Sequence, residues 1–123
     1  ACGRLDDGRR MLARLQSMTG DGANAAMTRD VGLPLAEGVL DDAQGDPGRA
    51  FGRIAAVRDR AHAFGGSHAQ RDLLTLTAID AARRAGLIDD ARHLLAERQT
   101  HKPTAWSARL AARLDDTERL AAA

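Results

Sequence analysis

The sequence predicts an all-α protein, on three observations. Hydrophobic residues make up 44% of the chain but aromatics only 2%, and alanine and leucine, both strong helix formers, supply the apolar content. Few segments combine β-branched and aromatic residues with the alternation that a strand needs. Apolar residues instead recur at helical spacing between glycine and proline breaks. At 123 residues the chain is long enough for one core but not two, so residues 1–123 are expected to form a single domain.

Six helices follow in order. The first, about 5–18, carries Met11, Leu15 and Met18 on one face. The second, about 28–44, has Val31, Leu35 and Val39 on one side and Leu33, Ala36, Leu40 and Ala43 on the other. Pro34 lies inside that pattern, where it would cost about 3 kcal/mol, so this helix is expected to start near Leu33 or bend there. The third, about 47–63, presents Ala50, Ile54, Val57 and Ala61, with Phe64 continuing the stripe. The fourth, about 68–85, is apolar on more than one face, which suits the middle of a stack. The fifth, about 89–100, carries Ala91, Leu94, Leu95 and Arg98, and the sixth, about 103–120, carries a ridge of Trp106, Leu110 and Leu114.

An internal repeat organises these helices. Gly3-Arg4-Leu5-Asp6-Asp7-Gly8-Arg9-Arg10-Met11-Leu12 matches Gly86-Leu87-Ile88-Asp89-Asp90-Ala91-Arg92-His93-Leu94-Leu95, and Gly45-Asp46-Pro47-Gly48-Arg49-Ala50-Phe51 is a weaker copy between them. The three glycines stand 42 and 41 residues apart. A period in that range signals stacked supersecondary units, here antiparallel helix pairs wound into a superhelix. In each unit the glycine ends one helix in a left-handed conformation, and acidic residues, or Pro47, open the next. The chain starts directly on the signature that elsewhere opens the second helix of a pair. That reads as the C-terminal portion of a longer protein.

Charge excludes several function classes. Eighteen basic and seventeen acidic residues interleave to a net +1, and Lys102 is the only lysine. A nucleic-acid binder should show a basic stripe without compensating acids, and none is visible. The arginine bias reads as GC-rich codon usage rather than phosphate recognition. Cys2 is the single cysteine, so no intrachain disulfide forms. Neither a signal peptide nor a membrane span is apparent, and a cytoplasmic location is the default expectation.

The segment Gly65-Gly66-Ser67-His68-Ala69-Gln70-Arg71-Asp72 resembles the C-terminal region of the tetratricopeptide repeat protein 38 family. So do Ala91-Arg92-His93-Leu94-Leu95-Ala96-Glu97-Arg98 with Lys102-Pro103, and Val31-Gly32-Leu33-Pro34-Leu35-Ala36, so the likeness spans about residues 3–114. It implies a superhelix of tetratricopeptide-like helix pairs within a longer chain, and it implies no reaction. The unit of about 41 residues, against the usual 34 or so, and the absence of tyrosine mean that consensus peptide-binding positions do not carry over.

The octet is the first candidate site. Ser67 and Gln70 have capping-box spacing, which is a structural reading. A functional reading makes His68, Gln70, Arg71 and Asp72 a polar cluster able to hold a carboxylate or phosphate at a helix start. A third reading buries an Arg71–Asp72 pair between helices to fix register. Thr75 and Asp80 extend the candidate partner-binding face along the fourth helix. Trp106 is expected in the core or an end cap, with partner anchoring as the alternative.

No catalytic signature, metal ligand set or cofactor motif is expected. The four histidines lack zinc spacing, and Ser17, Ser67 and Ser107 lack a nucleophile-elbow context. The acidic pairs Asp6-Asp7, Asp41-Asp42, Asp89-Asp90 and Asp115-Asp116 read as helix capping and solubility. The expected function is a protein-interaction or scaffold module that is not itself an enzyme, with a protein or peptide partner and no nucleic acid or membrane. A helical accessory domain of a larger enzyme is the alternative, and pairing of two copies through the exposed N-terminal helix is a third reading.

Overall fold

In the computed structural model, residues 3–18 and 20–123 are described, and every regular element among them is helical. The α-helices are α1 (Leu5–Ser17), α2 (Ala23–Met27), α3 (Leu33–Ala43), α4 (Pro47–Arg58), α5 (His68–Arg84), α6 (Ile88–His101) and α7 (Ala105–Ala122). Cys2 and the Phe64 side chain lie outside the described residues.

Two of these boundaries differ from the sequence expectation, each for a local reason. The helical run that contains the second expected helix begins earlier, at Ala23, although its longer α-helical part, α3, does start at Leu33 with Pro34 in the first turn. A π-helical turn, Thr28–Gly32, joins α2 to α3, and the Leu33 N–H reaches back to the Thr28 carbonyl. Proline has no N–H to donate, and its ring crowds the carbonyl four residues earlier. A widened turn just upstream lets the chain pass that defect while staying helical. The third expected helix ends at Arg58, and its remainder is a 3₁₀ turn over Ala61–Phe64.

The turns after α3 and α5 are built alike. Gly45 and Gly86 take φ of 86° and 77°. The Gly45 N–H donates to the Asp42 carbonyl at 3.1 Å and the Asp46 N–H to the Asp41 carbonyl at 2.9 Å. The matching bonds after α5 run from Gly86 to Arg83 at 3.2 Å and from Leu87 to Ala82 at 2.9 Å. Both are complete Schellman closures, which need a left-handed residue and so favour glycine. Asp46 then caps α4, accepting from the Arg49 N–H at 3.1 Å, with Pro47 in the first turn.

Consecutive helices pack side by side: α3 on α4, α4 on α5, α5 on α6 and α6 on α7, with α1 against α3. The core runs through the middle of this series. Ile54 of α4, Ala78, Ile79 and Ala82 of α5, Ala91, Leu94 and Leu95 of α6 and Leu114 of α7 form one buried cluster. Alanine on α5 explains how α5 sits between α4 and α6, because small side chains let helix axes approach closely. The expectation that this helix is packed on several sides describes what is found.

Gly38 plays the matching part in α3. A Cβ there would lie 2.9 Å from Ile54 Cγ1 and 3.3 Å from Arg53 Cβ. Ile54 is fully buried and has little room to retreat. Alanine should therefore lose more through overpacking than the ~1 kcal/mol it gains in helix propensity. Gly38→Ala is expected to destabilise the fold by about 1 kcal/mol. Chemical denaturation monitored by circular dichroism checks this, and a stabilised variant would show that α3 and α4 separate freely.

Arginines staple the series. Arg53 of α4 pairs with Asp41 of α3 at 2.7 Å and also binds Glu37. Arg84 of α5 binds Asp42 of α3, Arg58 of α4 binds Glu97 of α6 at 2.7 Å, and Arg92 of α6 binds Asp115 of α7 at 3.1 Å. Asp41 and Asp42, read from the sequence as capping and solubility residues, thus tie α3 to both α4 and α5. Partly exposed pairs of this kind contribute about 0–1 kcal/mol each, so they set register more than they hold the core.

Candidate functional site

The octet forms the entry to α5. Gly65 and Gly66, at φ of 88° and 80°, turn the chain out of the 3₁₀ turn. Ser67 is the N-cap: its Oγ accepts from the Gln70 N–H at 3.3 Å, and its own N–H donates to Gln70 Oε1 at 2.7 Å. That is a full capping box, the structural reading of the octet. Ser67→Ala should cost about 1 kcal/mol. An unchanged denaturation midpoint would show that the box contributes nothing.

The six candidate partner-binding residues do not form one site. His68 and Gln70 are exposed at the helix start. Arg71 is half-buried, donates to the Gly66 carbonyl at 2.6 Å, and has its Nη2 3.2 Å from His68 Nδ1. Asp72, one residue on and about 100° around the helix, faces α6. There it accepts from Arg98 at 2.7 and 2.9 Å and from Lys102 Nζ at 3.1 Å. The inter-helix pair is therefore Asp72–Arg98 rather than Arg71–Asp72. Two adjacent residues on a helix cannot face each other.

Thr75 is half-buried in the middle of α5, and exposed Asp80 lies beyond it, roughly 18 Å along the axis from His68. Asp80 accepts from Arg83 at 2.9 Å and Arg84 at 2.8 Å. Burial raises the Asp80 carboxyl pKa, but the hydrogen bonds from Arg83 and Arg84 outweigh it and hold the group below its ordinary value. Asp72 is held low chiefly by the hydrogen bond from Arg98, against the opposing effect of burial.

Two clefts take up three of the candidate residues, Gln70, Arg71 and Asp80. One of about 340 Å³ lies between α3 and α5, lined by Leu35, Ala61, Gly65, Gly66, Gln70, Arg71 and Leu74. Its floor is apolar, and Gln70 and Arg71 stand on its rim. The other, of about 550 Å³, lies between α5 and α7, where Asp80 and Arg83 meet Trp106, Leu110 and Arg113 over Ile79 and Ile88. Trp106 is 47% exposed there, so of the core and end-cap positions expected for it the core is ruled out, and it lines a surface cleft on the last helix. The ridge is carried inward by Leu114, with Leu110 half-buried.

The hydroxyls are engaged locally. Ser17 donates to the Arg14 carbonyl at 2.8 Å, and the buried Ser107 closes a second capping box with Thr104 at the start of α7. His62, His68, His93 and His101 are all exposed. No group of three or more His, Cys, Asp or Glu among the described residues is placed to hold a metal ion. No helix among them is long and apolar enough to cross a membrane.

Fold and clefts together define an all-helical protein of serially packed helices with concave sites between neighbours. No family model matches this sequence, and no solved structure matches it.

Proposed function

We propose that this chain is a helical-repeat interaction module, a tetratricopeptide-like superhelix with a unit of about 41 residues, that binds a segment of another protein without chemistry of its own. The two like-built turns at Gly45 and Gly86, 41 residues apart, support the repeat. Packing of each helix chiefly on its sequence neighbours supports it too, since stacked repeats bury their faces in that way. The resemblance of the octet to the tetratricopeptide repeat protein 38 family points the same way.

The observation that carries the binding reading is the cleft between α3 and α5. It sets an apolar floor of Leu35, Ala61 and Leu74 beneath the polar rim of Gln70 and Arg71. A concave apolar surface with a few polar groups to orient a ligand is the usual form of a recognition site. Asp72 is left out of the binding set because Arg98 and Lys102 already occupy its carboxylate.

Affinity capture with the wild-type chain and with Arg71→Glu tests this reading. Charge reversal on the rim leaves the core and the Asp72–Arg98 pair untouched. Loss of a captured protein in the variant, with the helical signal intact, supports the cleft. The same captured set from both proteins overturns it.

A further inference from the structure

We infer that the cleft between α5 and α7 binds a small amphiphilic carboxylate, with an aromatic ring laid on Trp106 and the charged head held by Arg83 and Arg113. The cleft measures about 550 Å³, inside the range of roughly 300–1,000 Å³ in which small-molecule sites fall. Its floor is apolar: Ile79 and Leu114 are buried, and Leu110 and Ile88 pack against the same cluster. This site is separate from the cleft between α3 and α5 and does not rest on the repeat reading.

The two walls give the cleft an aromatic end and a cationic end. Trp106, Leu110, Arg113 and Thr117 follow one another at spacings of four, three and four residues, so they form one stripe of α7. All four line the cleft. Thr117 also shares a smaller hollow with Gly86, the turn residue that closes α5. Arg83 stands in the last turn of α5, next to that closure. Arg83 and Arg113 therefore lie toward one end. Trp106, seven residues and about 10 Å along the axis from Arg113, lies toward the other. Its indole is 47% exposed and offers a flat apolar face on which a ring can stack.

Charge sets the sign of the head. Asp80 is the only carboxylate among the described residues that line the cleft, and both of its oxygens are engaged, by Arg83 at 2.9 Å and by Arg84 at 2.8 Å. That bond uses one of the five or so N–H donors of the Arg83 guanidinium and leaves the others for a ligand. Arg113 is exposed, and no carboxylate pairs with it among the described residues. Two guanidinium groups against one aspartate leave the cleft with a single positive charge to be met. A carboxylate supplies that charge, and its paired oxygens match the fork of an arginine. The body of the ligand must be apolar, because Ile79, Leu110 and Leu114 beneath it offer no side-chain hydrogen bond.

The probe is 5-phenylvalerate, in which a flexible chain joins a ring to a carboxylate, titrated against the full chain. Trp106 is the only tryptophan and tyrosine is absent, so tryptophan emission reads this cleft alone. A saturable blue shift is expected, with a Kd of about 1 mM or tighter. The neutral 5-phenylvaleramide, which keeps the body and loses the charge, should bind about tenfold or more weaker. The acid should weaken to the same extent against Arg113→Gln. Arg109→Gln removes an equal charge from α7 outside the cleft and should bind as the wild type does. Both arginines are exposed, so unchanged melting curves are expected and separate lost binding from lost fold. Absence of a saturable shift, or equal binding of acid and amide, overturns the proposal. So does wild-type affinity in Arg113→Gln, or an equal loss in Arg109→Gln, because the charge would then act from outside the cleft.

Discussion

Asp72→Ala should lower the stability of the fold by about 3 kcal/mol, the low end of the range for breaking a buried ion pair. The Arg98 side chain is only 7% exposed and that of Asp72 17%. Without the carboxylate, Arg98 loses the hydrogen bond that raises its pKa but keeps its charge, since a guanidinium has no neutral form to retreat to. Its remaining contact is a long bond of 3.4 Å to the Lys102 carbonyl. The cost is mainly that of a stranded guanidinium between α5 and α6. A double-mutant cycle with Arg98→Met separates that cost from the worth of the pair. The double variant should recover much of the loss, and a double variant no better than Asp72→Ala would place the effect elsewhere.

The same pair sets an acid limb. Asp72 is held below its ordinary pKa by the Arg98 hydrogen bond. Its unfolded value is about 3.9, so the stabilisation is complete above that pH and is lost as pH falls through the lower, folded value. Urea midpoints measured down the acid range should fall more steeply for the wild type than for Asp72→Asn. Parallel curves would show that Asp72 carries no share of the acid dependence. Asp80, lowered by Arg83 and Arg84, adds a slope of the same sign that remains in both proteins.

Leu95→Ala is the second large effect, expected at about 2–5 kcal/mol. Leu95 is among the largest fully buried side chains and packs in the cluster that joins α4, α5, α6 and α7. Three of the seven other members of that cluster are alanine, at 78, 82 and 91, and short side chains cannot swing in to fill a void. The loss should therefore fall toward the upper part of that range, since the cost grows with the cavity that remains. Equilibrium denaturation measures it. A cost nearer that of a surface substitution, about 0.5 kcal/mol or less, would mean that the helices close over the gap. The partly exposed Leu110→Ala on α7 should cost less, which ties the effect to burial.

Residues that act through local spacing were legible in advance. The Ser67–Gln70 box needs only a serine, a glutamine and three residues of separation. The glycines at 45 and 86 need only their place after an apolar stripe. Arg98, by contrast, carries no sequence mark as the partner of Asp72, because 26 residues and a turn separate them. Asp41 was misplaced for the same reason: adjacent acids at a helix end look like solvation until a second helix brings Arg53 to them. The exposure of Trp106 was not legible because helical spacing reports which side chains share a face, not whether a neighbour covers that face. The candidate residues His68, Gln70, Arg71, Asp72, Thr75 and Asp80 lie close in sequence, yet rotation along α5 distributes them among a rim, an ion pair and a separate cleft.

The sequence by itself determined the helical class, the glycine turns and the starts of α4, α5 and α6, because these follow from propensity, glycine conformation and capping, all of which act within a few residues. Only the tertiary structure decided which arginine meets which carboxylate, how Pro34 is absorbed by a π-helical turn, and which apolar faces stay open. Those outcomes depend on distances between helices. Such distances are fixed by packing small side chains such as Gly38 and Ala78 against large ones, and that fit is a property of two surfaces together.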